Sequence, residues 1–156
     1  MTELDRFDRL LLTLVQQDAA LTAEQLAEQV SLSPSAIQRR LRRLREQGVI
    51  QRQIAVLDAA QVGRPTTFIA SLHVDSERAD AMARLRSWLD AEPAVQQAFY
   101  VTGEADFVLV VTAPDAASYE ALMARLLAEH PTVRRYTTQV AMGVLKRGLT
   151  LPVPRD

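Results

Sequence analysis

Cysteine is absent from the 156 residues, so neither a disulfide nor a thiolate-bound metal can hold this protein together. Histidine occurs only at His73 and His130, far apart in the sequence and without companion ligands, which argues against a metal site. The five glycines build no phosphate-cradling loop, and no nucleophile stands beside a base. No apolar run approaches the ~18 residues that a membrane span needs, and no leader segment stands out, so a cytoplasmic protein without a membrane is expected. A strong charge of one sign is lacking too. The net charge is −1, which argues against a protein that coats nucleic acid indiscriminately. With 48% hydrophobic residues, the chain can bury one moderate core or two small ones.

The average hides a local concentration. Arg39, Arg40, Arg42, Arg43 and Arg45 crowd into seven residues, inside a segment that reads as one helix. Ser33 is a good N-cap and Pro34 suits the first helical position, where a missing N–H costs nothing. Ile37, Leu41 and Leu44 recur at helical spacing and can be buried together. At ~100° per residue, Ser35, Arg39, Arg42 and Glu46 project to the opposite side, flanked by Gln38 and Arg43. Clustered guanidiniums repel one another unless something anionic lies against them, and their planar forks suit phosphates and guanine edges. Arg40 sits nearest the buried edge and is also placed to pair with an acidic neighbour inside the domain.

Two helices precede this one. Thr22-Ala23-Glu24-Gln25 has the form of a capping box, followed by the short apolar stripe Leu26, Ala27 and Val30. Ser31-Leu32 turn into the Ser33 cap, with Leu32 expected to pack inside. An earlier helix is predicted over 5–18, with Phe7, Leu10, Leu11, Leu14 and Val15 on one side. Three short helices, the last basic and entered through a tight turn, describe a helix-turn-helix that binds double-stranded DNA. Ser35, Gln38 and Arg39 are the expected base readers. Arg40, Arg42, Arg43 and Arg45 are candidates for phosphate contact, and Thr22 and Ser33 complete the DNA-binding set. Gly48 is positioned to cap the basic helix. Val49–Leu57 then reads as a short wing or linker strand, in which Gln51 and Gln53 suit the wet face and Arg52 fits either that face or a phosphate.

From residue 66 the pattern alternates between strands and helices: strand Thr66–Val74, helix Ser76–Glu92, strand Val95–Thr102, strand Phe107–Thr112, a helix capped by Asp115 and ending at His130-Pro131, and strand Thr137–Leu145. The order β-α-β-β-α-β is the ferredoxin-like arrangement, so the fold class is α+β. Trp88, Tyr119 and Met123 are most simply core or interface residues. Two helices cover one face of a four-stranded sheet, so the other face is expected to pack against a second copy. A homodimer would aim two basic helices at half-sites roughly 34 Å apart or a multiple of that distance.

Four segments, in this order, resemble the Lrp/AsnC (feast/famine) family of transcriptional regulators. They are Leu4-Asp5-Arg6-Phe7-Asp8, Leu32-Ser33-Pro34-Ser35, Arg40-Leu41-Arg42-Arg43-Leu44 with Gly48-Val49-Ile50, and Thr102-Gly103-Glu104-Ala105-Asp106-Phe107. The resemblance spans Leu4 to about Thr150. It implies a winged helix-turn-helix over 1–52, a wing or linker strand over 53–65, an effector-binding and oligomerisation domain over 66–150 and a tail over 151–156. It also implies dimers that assemble further, commonly to octamers, with an amino acid bound between regulatory domains, and a role in amino-acid metabolism or transport.

The family's Gly-Asp-x-Asp loop is matched by Gly103, Glu104, Ala105 and Asp106. Tyr100 and Thr102 lie beside that loop, and Gln139, Val140 and Ala141 match last-strand positions that line the family's pocket. Glu104 and Ala105 depart from the family pattern, which puts effector identity in doubt, and Gln53 stands where relatives often carry Tyr. Gly103 permits a tight turn whose amides suit a carboxylate, and Asp106 suits an ammonium. A hairpin alone would account equally well for Gly103 and Asp106, and Tyr100 and Val140 are ordinary sheet residues. Glu104 and Asp106 are a carboxylate pair without the other parts of an active site, so no enzymatic activity and no cofactor are expected. The alternative to an effector-controlled regulator is an architectural protein that organises DNA without an effector.

Overall fold

Asp5 starts the first helix. In the computed structural model, which describes residues 3–75 and 78–154, its carboxylate accepts hydrogen bonds from the Phe7 and Asp8 amides. The Asp8 side chain accepts from the Asp5 amide in return, closing a capping box that begins α1 (Arg6–Gln17). The box predicted at Thr22 and Gln25 begins α2 (Ala23–Val30), with bonds of 2.9 and 3.2 Å. Ser31 then takes a left-handed conformation, φ 57°, which turns the chain within three residues into α3 (Pro34–Glu46), capped by Ser33. Helix α3 stops in a Schellman arrangement: the Gly48 amide donates to the Arg45 carbonyl and the Val49 amide to that of Leu44, with Gly48 at φ 71°.

These helices form one compact unit, residues 1–55 with 147–156. Its core joins Leu11, Leu26, Val30, Ile37 and Leu41, with Leu14, Val15 and Leu32 packed against it. Leu10, predicted on the apolar stripe, is instead exposed, and Leu12 is buried. The C-terminal segment lies along α1, where the Gln16 side chain and the Leu151 backbone exchange bonds of 2.7 and 3.2 Å.

The strand expected over Val49–Leu57 does not form. A strand needs a ladder partner, and among the described residues this unit contains helices only. Ile54, Val56 and Leu57 stand 57%, 76% and 62% exposed on an unpaired segment.

Residues 56–146 form the second unit. Strands β1 (Thr66–Val74), β2 (Val95–Tyr100), β3 (Phe107–Ala113) and β4 (Val133–Val140) make one antiparallel sheet in the order β2-β3-β1-β4, with α4 (Ala79–Ala91) and α5 (Ala116–Glu129) as its helices. This is the ferredoxin-like arrangement, and the protein as a whole is α+β as expected. Alternate residues Phe68, Ala70 and Leu72 of β1 and Phe107, Leu109 and Val111 of β3 share a core with Met82, Leu85 and Leu89 of α4 and Leu122, Met123 and Leu126 of α5. Tyr119 stacks on Phe68 with ring centroids 4.1 Å apart, and Trp88 packs at the margin of the core, donating to Glu129. The intervening residues Ile69, Ser71, Val108 and Val110 face away from the helices and are only half-buried.

Several predicted boundaries move, β3 by one residue, to Ala113. Helix α4 is observed from Ala79; Ser76, where it was expected to begin, lies outside the described residues. Strand β2 ends at Tyr100, two residues early; the Val101 amide makes one more bond across, to the Asp106 carbonyl, before the chain bends at residues 102–104. The last strand, expected over Thr137–Leu145, instead occupies Val133–Val140. The chain turns immediately after α5, with the Val133 amide on His130, and pairs Val74 with Val133 through Phe68 with Val140. Strand β1 begins at Thr66, so residues beyond Ala141 have nothing to pair with, and Met142 and Leu145 are left fully exposed.

At Gly48 a Cβ would meet nothing within 4 Å, so replacement confronts backbone strain alone. Gly48→Ala is expected to lower stability by about 1–2 kcal/mol in urea unfolding. An unchanged midpoint would mean that the left-handed turn does not hold the end of α3.

Candidate functional site

The α3 helix presents two sides to its surroundings. Ile37, Leu41 and Leu44 are buried, whereas Ser35, Gln38, Arg39, Arg42 and Arg45 are exposed. The N-terminal end is ordered locally: the Ser33 hydroxyl accepts from the Ala36 amide and lies 3.2 Å from that of Ser35. Thr22 is exposed as well, its hydroxyl engaged in capping α2. Arg45 reaches the Gln53 side chain at 3.3 Å, tying the helix end to the following segment.

The other two arginines reach across to α1, Arg40 half-buried and Arg43 still exposed. Arg40 lies 2.7 Å from Asp5 and 2.9 Å from Asp8, and Arg43 also pairs with Asp8. Arg40 further rests over the Phe7 ring, 5.5 Å from its centroid. Asp8 is 1% exposed, and its oxygens accept from both guanidiniums and from the Asp5 amide, so the buried carboxylate is fully hydrogen-bonded. For Asp5, partial burial opposes ionisation, but bonds from the Asp8 amide and Arg40 hold its carboxyl below the ordinary carboxylate range.

The pairing foreseen for Arg40 is therefore present, whereas Arg43, expected against phosphate, lies against Asp8. Asp8 was missed as a site residue. Its signal was available: it stands three, four and seven residues before Leu11, Leu12 and Val15, a carboxylate within an apolar stripe.

In the second unit the turn between β2 and β3 carries Thr102, Gly103 and Glu104, all exposed, with Gly103 at φ 122°. Asp106 is half-buried, and its Oδ2 accepts from the Val74 amide of β1 at 2.8 Å, so one oxygen braces the sheet. Tyr100 packs on Phe107 with ring centroids 5.2 Å apart and lies under the Arg86 guanidinium. Gln139, Val140 and Ala141 lie elsewhere. Tyr100 is level with Phe107, Leu72 and Tyr136, whereas Gln139 pairs with Ile69, three residues along and three strands across. Strand spacings make that separation roughly 17 Å, longer than an amino acid. Gln139 also shares the open face with Ile69, whereas Tyr100 and Val140 share the helix-covered face with Phe107 and Phe68. One subunit does not bring the two groups together.

His73 lies on the open face opposite Arg135, and His130 is buried beside Trp88, where burial lowers its pKa.

Residues 67–151 match the family description "Lrp/AsnC ligand binding domain", and residues 4–51 match "winged helix-turn-helix DNA-binding". The chain is 42% identical, over 97% of its length and 89% of the relative's, to an uncharacterized HTH-type transcriptional regulator of Sinorhizobium fredii. Among solved structures, it resembles an AsnC family transcriptional regulator from Agrobacterium tumefaciens at a TM-score of 0.88 and 32% identity, covering 96% of this chain and 97% of that one. It also resembles a transcriptional regulator of Neisseria meningitidis solved in complex with L-Met, at a TM-score of 0.86 and 26% identity, with 96% and 97% covered.

The lowered pKa of Asp5 fixes the sign of an acid effect. Folding favours its ionised form, so the contribution is present above the ordinary value of about 3.9 and is lost as pH falls through the lower folded value. Asp5→Asn keeps a capping side chain but removes the charge. Melting temperatures between pH 5 and pH 2 are expected to fall more steeply for the unaltered protein than for Asp5→Asn. Parallel curves would show that Asp5 is not stabilised as a carboxylate.

Proposed function

Because the chain belongs to the Lrp/AsnC family of transcriptional regulators, with a DNA-binding helix-turn-helix and a ligand-binding domain, we propose that it is a sequence-specific regulator of amino-acid metabolism or transport whose DNA binding responds to a bound amino acid. The observation that carries the DNA half is the exposed side of α3, where Ser35, Gln38 and Arg39 stand beside Arg42 and Arg45 on a helix whose apolar side is anchored. Short polar side chains near the N-terminus of the helix read base edges, with Arg39 suited to guanine, while Arg42 and Arg45 engage phosphates. Thr22 and Ser33, at the starts of α2 and α3, lie where a DNA backbone would pass.

The effector is an amino acid, a reading supported by the L-Met complex of the Neisseria relative. Its α-carboxylate meets the amides of the Gly103 turn and its α-ammonium meets Asp106, with Tyr100, Thr102 and Glu104 around them. Gln139, Val140 and Ala141 act from another subunit, since they lie roughly 17 Å away within one chain. The protein therefore works as a homo-oligomer in the cytoplasm, built from dimers joined through the open sheet face and further associated, with an octamer as the expected form. Among the described residues, no helix is long and apolar enough to cross a membrane. Effector binding changes the assembly and thus the spacing of headpieces, which requires unequal affinity for the two states, on the order of 1–3 kcal/mol.

Selection of bound sequences from a random duplex pool is expected to return a preferred site, and Arg39→Ala should weaken preference at one base by about 1–3 kcal/mol. A pool that emerges without preference would favour an architectural protein. In a thermal-shift panel of the twenty amino acids, a ligand at 100 times its Kd should stabilise the protein by about 2.7 kcal/mol. Asp106→Asn retains an acceptor for the Val74 amide, so it should keep the fold and lose the shift; a retained shift would place the ammonium elsewhere.

A further inference from the structure

We propose that Asp8 is a positioning residue that divides the arginines of α3 into two groups, tying Arg40 and Arg43 to α1 by ion pairs so that DNA contact falls to Arg39, Arg42 and Arg45. The proposal rests on the DNA-binding reading of α3 and concerns how many of its charges meet the duplex. Asp8 is 1% exposed and contacts both guanidiniums, while Asp5 contacts Arg40 as well. A carboxylate so buried cannot give up its cations to DNA without being left unpaired away from water, a costly state. Exposure sets Arg40 apart, its side chain being 22% exposed, whereas Arg43 at 43% is exposed like Arg39, Arg42 and Arg45 and differs from them in its ion pair with Asp8.

At 100° per residue Arg40 lies on the flank that meets α1 and Arg42 lies amid Ser35, Gln38 and Arg39. Arg43 falls between Arg39 and Arg40 on the helix, so its bond to Asp8 is what draws it towards α1. Asp5 and Asp8 neutralise Arg40 and Arg43, so the helix presents three positive charges outward rather than five. Each phosphate contact contributes about 0.9 to the slope of log affinity against log salt, so the division sets how far binding depends on charge alone. The ion pairs also fix α3 on α1, presenting Gln38 and Arg39 in one orientation.

The test measures binding of the full chain to a random-sequence duplex over a range of salt concentrations, with circular dichroism and melting as folding controls. Arg42→Gln is expected to flatten the salt slope by about one unit per headpiece. Arg43→Gln should lower the melting temperature and leave the slope unchanged, a split that a phosphate contact would not give. Asp8→Asn, where it folds, should free Arg43 while Asp5 still holds Arg40, tighten binding to the random duplex and steepen the slope by about one unit. If Asp8→Asn does not fold, the Arg42 and Arg43 variants decide by themselves. Equal flattening by Arg42→Gln and Arg43→Gln would overturn the division while leaving DNA binding by α3 intact. An unaltered protein that does not bind duplex DNA would overturn the DNA-binding reading itself, and the division with it.

Discussion

A carboxylate sealed between two helices governs the arrangement of the DNA-binding unit. Asp8 caps backward onto the Asp5 amide and reaches across to Arg40 and Arg43, so a single side chain belongs at once to the start of α1 and to the flank of α3. Hydrophobic contacts between Leu11, Leu26, Ile37 and Leu41 are non-directional and would tolerate some rotation of α3 about its axis. Charged hydrogen bonds at fixed positions do not. The arginine cluster thereby becomes compatible with a stable fold: its repulsion is relieved on one side by α1 and left open on the other.

The regulatory unit is solved on one face and open on the other. Its helices close the inner face around Phe68, Leu72, Leu109 and Val111, while Ile69, Val108 and Val110 remain half-buried and Phe99 is 49% exposed on the outer face. The segments that follow Ile50 and Val140 form no strand and carry exposed apolar side chains, with Val56 76% and Met142 99% exposed. Exposed apolar surface of this kind is costly to leave in water. The distance between the Gly103 turn and Gln139 carries the same message, since a site assembled from both cannot close within one chain.

Local signals were readable directly. Thr22 with Gln25, Ser33 with Pro34 and Gly48 marked helix boundaries because capping depends on residues a few positions apart. The period-two pattern of Thr66–Val74 identified β1 in full. The last strand was misplaced by four residues at its start and five at its end because alternation continues through Met142 and Val144, whereas the limit on pairing is the length of β1, a remote segment. The strand after Gly48 failed for a related reason: β-prone residues at Val49–Leu57 have no neighbour with which to form a ladder.

Composition and spacing by themselves determined the class of the protein, the order of its elements and the presence of an arginine-rich helix entered through a tight turn. Each of these depends on interactions within one element or its cap. Only the tertiary structure decided which arginines pair with α1, that Asp106 braces β1 through the Val74 amide, and that Tyr100 and Gln139 occupy opposite edges of the sheet. Those outcomes depend on partners 30 or more residues away in the chain, whose approach is set by core packing and strand order. No local pattern encodes them, because a side chain's spacing along its own helix or strand does not specify what the fold places opposite it.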